Sequence, residues 1–389
     1  MFLSSHGTVP RRPRSRTAGV RSDMAFGISS KARVSPIAID FGADAIKMLQ
    51  IVPDGPGQVV VAGSAVVPHD ARTNATERLD FIEEAIKGLM RNLPIRGRRA
   101  ICAIPGFQTL IHNFMIPRTD PEDIDALIDL QLRDRLGVEP GRMILKNFHA
   151  VDHHRRGAAR SDVICLAAKR EQVMQYLGLA GRCRLEVVGM HVEPLCVTRC
   201  FEDLLDDVSG AVAFVDLGAA TTKVIIAHGQ KLLMVKTIHA GGDHWNQLHA
   251  QQAKLEFDEA RRMRVAQING DDAGGGVATA TADESGTESD THDEVLLTLI
   301  DELRLVLRHH RGRHPSLSLD KLVLLGGEAN DDKLRGRLSH ALGVPCELGD
   351  AFAGMDRDVE AGAAIGVDPT DPAPNWAVAV GLCRSEANL

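Results

Sequence analysis

The chain is poor in aromatic residues. Of 389 residues only 4% are Phe, Trp or Tyr, with a single Tyr and two Trp. A binding surface that stacks successive bases of single-stranded nucleic acid needs several aromatic faces, so a nucleic-acid partner is not expected. No apolar run approaches the roughly 18–20 residues of a membrane-spanning helix. The seven cysteines are an odd number, and no two have Cys-x-x-Cys spacing. Zinc and redox motifs are therefore missing, and reduced core thiols are expected, including Cys196 and Cys200, four residues apart. Residues 1–33 carry seven basic residues and one acid but no apolar stretch, so they do not read as an export signal. They read as a disordered basic extension, with Met24 a plausible natural start.

What is present is a hydrophobic content of 44%, enough for a substantial core. At roughly 150 residues per domain the length suggests two or three units. The net charge of −7 is uneven, because residues 269–294 hold eight acids and no Lys or Arg. Within that region 271–293 is built of Gly, Ala, Thr, Ser and acids without periodicity, and reads as a disordered insertion.

The rest alternates between short apolar runs and helical periodicity. Strands are expected at Ile37–Ile39, Ile46–Val52, Val59–Ala65, Ile101–Ile104, Val163–Ala167, Val212–Val215, Lys223–Ala227, Lys231–Thr237 and Lys321–Leu325. Helices are expected over Ala75–Arg91, from Asp120 to about Leu136, and over Asp243–Glu256, Glu259–Gln267, Asp293–Arg308, Asp331–Leu342 and Asn375–Arg384.

One stretch occurs twice. Ile39-Asp40-Phe41-Gly42-Ala43-Asp44-Ala45-Ile46-Lys47 returns 176 residues later as Val215-Asp216-Leu217-Gly218-Ala219-Ala220-Thr221-Thr222-Lys223. Each copy lies between two apolar runs, so each reads as a strand–turn–strand unit with Asp ending the first strand and Gly opening the turn. Such a turn binds anions. Gly42 and Gly218 let the backbone at Ala43 and Ala219 approach a phosphate, and Thr221 and Thr222 offer hydroxyl donors. Asp40 and Asp216 would repel phosphate but can hold Mg²⁺ that bridges it. Two facing units would clamp a triphosphate. Lys47 and Lys223 read either as phosphate ligands or as exposed strand residues. Gly326-Gly327 follow an apolar run and would let a base or sugar approach. Gly241-Gly242 form a second strand-to-helix turn, with Asp243 as the helix cap. The run RHHRGRH, containing His309, His310 and His314, reads as a solvated helix end rather than a metal site.

In order along the chain, IAIDFGADAIKMLQI, CAIPGFQTLIHNFMIPRTDPEDIDALIDLQLRDRLGVEPGRM, MHVEPLCVTRC, the second Asp-x-Gly unit, KLVLLGGEA and NWAVAVGLCRSE resemble the PilM family of type IV pilus assembly proteins, within the actin-like ATPase superfamily. The resemblance implies an α/β, actin-like (ribonuclease H-like, duplicated) two-lobed ATPase fold with an inserted small α+β subdomain. It implies a first lobe over 34–208 with the insertion at 101–170. A second lobe would span 209–374 with a helical part at 241–310, and a C-terminal helix at 375–389 would return to the first lobe. It implies ATP and Mg²⁺ as cofactors, with Asp216 and Glu193 in the catalytic position. It implies a cytoplasmic protein peripheral to the inner membrane. The implied partner is the N-terminal segment of a PilN-like bitopic protein, with other pilus platform and motor proteins beside it and membrane contact only through partners.

The chain also departs from the family pattern. Arg261 and Arg264 stand where the pattern has an acid and a Lys, Glu328 follows the Gly pair where a small residue is usual, and Asp44 replaces Ser or Thr. These departures favour a weakly hydrolysing or non-hydrolysing scaffold over a robust ATPase. The rival readings are an FtsA-like cell-division ATPase and an enzyme of the sugar-kinase or exopolyphosphatase branch. The first usually ends in an amphipathic membrane helix, whereas this sequence stops five residues after Arg384; the second needs a substrate motif that is not evident.

Overall fold

The computed structural model describes residues 34–53, 57–155, 157–269 and 288–389. The basic extension at 1–33 and most of the acidic insertion lie outside the described residues.

The duplication in sequence is a duplication of sheets. In the first half the strands are β1 (Ile37–Phe41), β2 (Ala45–Val52), β3 (Gln58–Val66) and β4 (Arg99–Ile104). Between β3 and β4 lie α1 (His69–Thr73) and α2 (Ala75–Asn92). Helix α2 starts where the Asn74 side chain accepts the Thr76 and Glu77 N–H groups, and it buries Arg78, Ile82, Ile86 and Leu89 on one face.

The chain then leaves the lobe through β5 (Thr109–Pro117), α3 (Pro121–Leu136), β6 (Met143–Arg155) and β7 (Ala158–Lys169). It returns through α4 (Arg170–Arg182), β8 (Glu186–Val192), α5 (Glu193–Cys200) and α6 (Glu202–Asp207). The second half has β9 (Ala211–Leu217), β10 (Thr222–His228), β11 (Lys231–Ile238), α7 (Gly242–Ala253), α8 (Phe257–Asn269) and α9 (Glu288–Arg313). It ends with β12 (Leu319–Leu325), α10 (Asp332–Leu342), β13 (Cys346–Leu348), β14 (Ala364–Ile365) and α11 (Ala377–Cys383).

The second sheet has the order β11-β10-β9-β12-β13, and the first has β14-β3-β2-β1-β4-β8. Apart from β14 the two orders coincide: an antiparallel meander whose first strand also pairs in parallel with a fourth. Both sheets are buried on both faces, which explains why β1, β2, β9 and β10 read as nearly unbroken apolar runs.

Two expected boundaries shift. Ile101–Ile104 belongs to β4, which sits between β1 and β8 in the first sheet, so the inserted subdomain begins after Ile104. The segment around 356–365, expected in the second lobe, pairs with the first sheet. Ala364 and Ile365 extend β3, and Val59 donates to the Asp356 carbonyl at 2.9 Å. The insertion itself is the three-stranded sheet β5-β7-β6 with α3 packed on Phe114, Ile116, Val163 and Cys165.

Helix α3 begins after Asp120 as expected, but the Asp120 side chain caps nothing; its backbone carbonyl accepts the Asp123 N–H instead. Gly137, at φ 61°, ends the helix in the left-handed region. Helix α9 already begins at Glu288, so the end of the expected acidic insertion is helical. Helix α11 packs against α5 and against the first sheet at β1 and β2. Cys383 sits under the Ser35 hydroxyl, and Gly381 lies against the backbone of α5. All seven cysteines are free thiols, and six, including Cys196 and Cys200, are buried.

Candidate functional site

Both Asp-x-Gly turns open onto one cleft of about 370 Å³. The strand registers explain why. In β1–β2, Asp40 lies opposite Lys47; in β9–β10, Asp216 lies opposite Lys223. The same cross-strand Asp–Lys pair therefore occurs in each half, with Nζ–Oδ2 separations of 3.5 and 4.0 Å. The two turn glycines also serve the same purpose. A Cβ on Gly42 would fall 2.8 Å from the Ala45 carbonyl oxygen, and one on Gly218 would fall 2.9 Å from that of Thr221. Gly326, at φ 86°, approaches so closely that a Cβ would meet the Leu217 carbonyl oxygen at 2.3 Å.

The cleft floor is a buried charge cluster. Glu193, at the start of α5, joins Lys223 at 2.6 Å and accepts the Gly106 N–H at 2.6 Å. Gly106 has no room for a side chain, because a Cβ there would sit 1.9 Å from Lys223 Cε. Burial, partly offset by the Lys47 charge, pushes the Asp40 carboxyl up to about 6. Burial also raises Asp216, while Glu193 and Asp216 raise the Lys223 ammonium despite its desolvation. Asp40 Oδ1 is buried without a hydrogen-bond partner. An unpartnered buried carboxylate oxygen, with the Asp216 carboxylate lining the same cleft, leaves two acids to which a largely hydrated divalent cation could attach. Neither Lys47 nor Lys223 is an exposed strand residue; both are buried and paired with acids.

Most of the expected site residues line this cleft: Asp40, Gly42, Ala43, Lys47, Glu193, Asp216, Gly218, Ala219, Thr221, Gly326 and Gly327. Three do not. Thr222 is fully buried, and its hydroxyl donates to the Ala240 carbonyl at 2.7 Å. Gly241 and Gly242 buttress the second turn from behind. The Gly241 N–H faces His244 Nδ1, the Gly242 N–H donates to the Gly218 carbonyl at 3.0 Å, and neither residue lines the cleft. Asp243 is not the helix cap. It lies inside the first turn of α7, where its carboxylate accepts from Arg72 and from Asn246.

The departures from the family pattern pair with one another. Arg261 meets Asp44, and Arg264 meets Glu328 through two bonds of 2.6 Å each. Arg72 also binds Asp44 and reaches across to Asp243 at 2.8 Å, tying α1 to α7 over the rim of the cleft. Arg78 is buried and donates to the carbonyls of Phe41, Gly42 and Ala43, holding the first turn from beneath. A sequence signal for Arg78 existed: it shares the apolar face of Ile82, Ile86 and Leu89. Arg72 and Gly106 had none.

Away from the cleft, His310 and His314 are not solvated. They stack at 5.0 Å between ring centres, buried beside Asp162 of the inserted subdomain. Among the described residues no group of three or more His, Cys, Asp or Glu side chains is placed to hold a metal ion. Among those residues also, no helix is long and apolar enough to cross a membrane.

Among solved structures the chain is similar to the PilM-PilN type IV pilus biogenesis complex, at 20% identity and a TM-score of 0.72, covering 90% of this chain and 98% of that one. It is more distantly similar to the ethanolamine utilization protein EutJ from Carboxydothermus hydrogenoformans, at 14% identity and a TM-score of 0.49 over 90% and 89% of the two chains. No curated protein matches its sequence. The fold is actin-like, as expected. The family description "Type IV pilus assembly protein PilM" matches residues 38–385, nearly the whole described body, and the chain belongs to that family.

Proposed function

We propose that the cleft binds MgATP between the two Asp-x-Gly turns, and that the protein is the nucleotide-binding, actin-like component of a type IV pilus inner-membrane assembly platform. The observation that carries this reading is the twofold Asp–Lys arrangement facing one cleft, with Asp40 Oδ1 left unpartnered. Mg²⁺ would supply the positive charge that joins carboxylates to phosphate oxygens. Asp40 and Asp216 would hold it. The turn backbones at Ala43 and Ala219, with the Thr221 hydroxyl, would receive phosphate, and Gly326-Gly327 would face the nucleoside.

Turnover is expected to be slow. Both Glu193 oxygens are engaged, one by the Gly106 N–H and one by Lys223, which leaves a poor base for activating water. A weakly hydrolysing scaffold therefore fits better than a fast ATPase. By analogy with the complex to which it is similar, the partner is the cytoplasmic N-terminal segment of a PilN-like membrane protein, which would bring the chain to the cytoplasmic face of the inner membrane.

Calorimetric titration with MgATP tests the site: wild-type protein binds and Asp216→Ala does not. Absence of binding by wild type, or equal binding by both, removes the clamp. Fluorescence polarisation of a labelled PilN-like N-terminal peptide, with and without MgATP, tests the partner and its coupling to nucleotide.

A further inference from the structure

Arg78 is a buried cation without an acid. It is 4% exposed, and among the described residues no carboxylate pairs with it. The Asp40 carboxylate is near enough for its charge to be felt but is paired with Lys47. Arg78 Nε is buried without a hydrogen-bond partner, and the ring of Phe107, which lines the cleft, covers the guanidinium at 5.0 Å. A buried cation is costly unless opposite charge faces it. What faces Arg78 is only partial charge: the carbonyls of Phe41, Gly42 and Ala43 accept its N–H groups at 3.2, 2.7 and 3.2 Å.

Those contacts fix which way the first turn points. A trans peptide holds its C=O and N–H on opposite sides. With the Gly42 and Ala43 carbonyls turned to Arg78, the Ala43 and Asp44 N–H groups are turned away from it, and both residues line the cleft. In the second half the same two carbonyls, of Gly218 and Ala219, accept the Gly242 and Asp243 N–H groups at 3.0 and 2.9 Å. The Ala219 and Ala220 N–H groups are thereby turned away from α7, and these residues also line the cleft. One turn is backed by a guanidinium, the other by the first turn of a 12-residue helix whose dipole is positive at that end. The Asp44 carboxylate does not oppose this arrangement, because Arg72 and Arg261 take it.

We propose that Arg78 is the positioning residue of the first phosphate turn: it aims the Ala43 and Asp44 N–H groups at a ligand phosphate, which supplies the anionic charge that Arg78 lacks within the protein. The proposal rests on the anion-binding reading of the cleft. At an effective dielectric near 20, a unit charge roughly 8 Å from a phosphate charge changes affinity about thirtyfold.

The test is calorimetry and backbone amide NMR on the full chain with Mg-tripolyphosphate. In wild type the probe is expected to bind and to shift the amide signals of Ala43, Asp44, Ala219 and Ala220. Arg78→Met keeps much of the buried stem but removes the charge and the fork. Affinity is expected to fall about thirtyfold, and at saturation the Ala43 and Asp44 shifts should be lost while those of Ala219 and Ala220 remain. The second turn is thus an internal control that general damage to the cleft would not spare. Arg78→Lys keeps the charge without the fork; it should weaken binding about threefold and shrink only the first-turn shifts, and it decides the matter if Arg78→Met fails to fold.

Affinity of Arg78→Met within about twofold of wild type overturns the assignment, and so does an equal loss of all four shifts, which would make Arg78 a merely structural residue. Wild-type affinity and shifts in Arg78→Lys also overturn the positioning role. Failure of wild type to bind tripolyphosphate overturns the anion-binding reading and the assignment with it.

Discussion

Lys223 is the cation that makes the cleft floor tolerable, and removing it should be among the costliest single changes in the molecule. Its ammonium lies 2.6 Å from Glu193 and 4.0 Å from Asp216, and the Lys223 and Glu193 side chains are each 7% exposed. At an effective dielectric near 20, a unit pair at the shorter distance attracts by about 6 kcal/mol before desolvation is counted. Lys223→Met keeps the aliphatic stem but leaves Glu193 and Asp216 without it. Breaking a buried pair from one side typically costs about 3–5 kcal/mol, because the stranded charge stays desolvated. For a protein of this size that corresponds to a melting temperature roughly 4–7 °C lower.

The second half of the test is a double-mutant cycle. Glu193→Gln removes the charge but keeps an oxygen to accept the Gly106 N–H. Lys223→Met/Glu193→Gln should therefore be more stable than Lys223→Met alone, with a coupling energy of at least about 2 kcal/mol. Differential scanning calorimetry at neutral pH reads both quantities. A cost below about 1 kcal/mol for Lys223→Met, or additivity of the two changes within about 0.5 kcal/mol, would refute the reasoning that this cluster is held by mutual compensation.

Two further predictions concern regions outside the cleft. Gly381→Ala places a Cβ 1.8 Å from the Cys196 carbonyl oxygen, a backbone atom that cannot swing aside, so α11 must lift from α5; a loss of about 3 kcal/mol is expected from thermal unfolding, and a change under about 0.5 kcal/mol would show that the two helices do not pack this closely. The His310–His314 pair makes stability pH-dependent. Burial lowers both from the ordinary value of 6.5, with Arg311 adding to His310 and with His310, Arg313 and His153 adding to His314 against Asp162. A depressed histidine contributes stability that is complete above about 6.5 and is lost as pH falls through the folded value, at up to about 1.4 kcal/mol per pH unit for each proton. Asp40, raised to about 6, acts in the opposite sense: its contribution is complete below 3.8 and fades as pH rises through 6. The histidine part is therefore read as the difference between wild type and His310→Phe/His314→Phe across pH 7.5 to 5.5. Wild type should lose more stability on acidification than the variant, and parallel curves would refute a neutral, buried pair.

The fold was legible wherever the chain obeys local rules. A twice-used strand–turn–strand unit reads directly from residues 40–47 and 216–223, since close turns demand Gly and double-sided burial demands continuous apolar strands. The start of α3 after Asp120 and the apolar face of α2 follow from helix-start signals and periodicity, whereas the Asn74 cap of α2 shows only in the structure. What escaped depends on partners far away in sequence. The strand Ala364–Ile365 is two residues long, and only its neighbour β3 makes it a strand. Arg72 reaches Asp243 across 171 positions. His310 and His314 look like a solvated helix end on any helical wheel, and they are buried because the inserted subdomain lies against that helix through Asp162 and Arg313.

The same distinction decides how the family departures should be weighed. Taken one at a time, Arg261, Arg264, Glu328 and Asp44 each put a charge of unexpected sign or size into a nucleotide cleft, which argues for a decayed site. Structure pairs them as Arg261 with Asp44 and Arg264 with Glu328, so no net charge is added to the cleft. Decay has no reason to place four charges in two complementary contacts 217 and 64 positions apart, or to keep Gly242 small enough for the Glu328 carboxylate. Only Arg264–Glu328 is a buried pair, since the Asp44 side chain is about a third exposed, and a buried ion pair is a poor source of stability beside apolar packing of the same volume, so the pairing neutralises charge in the cleft more than it stabilises the fold.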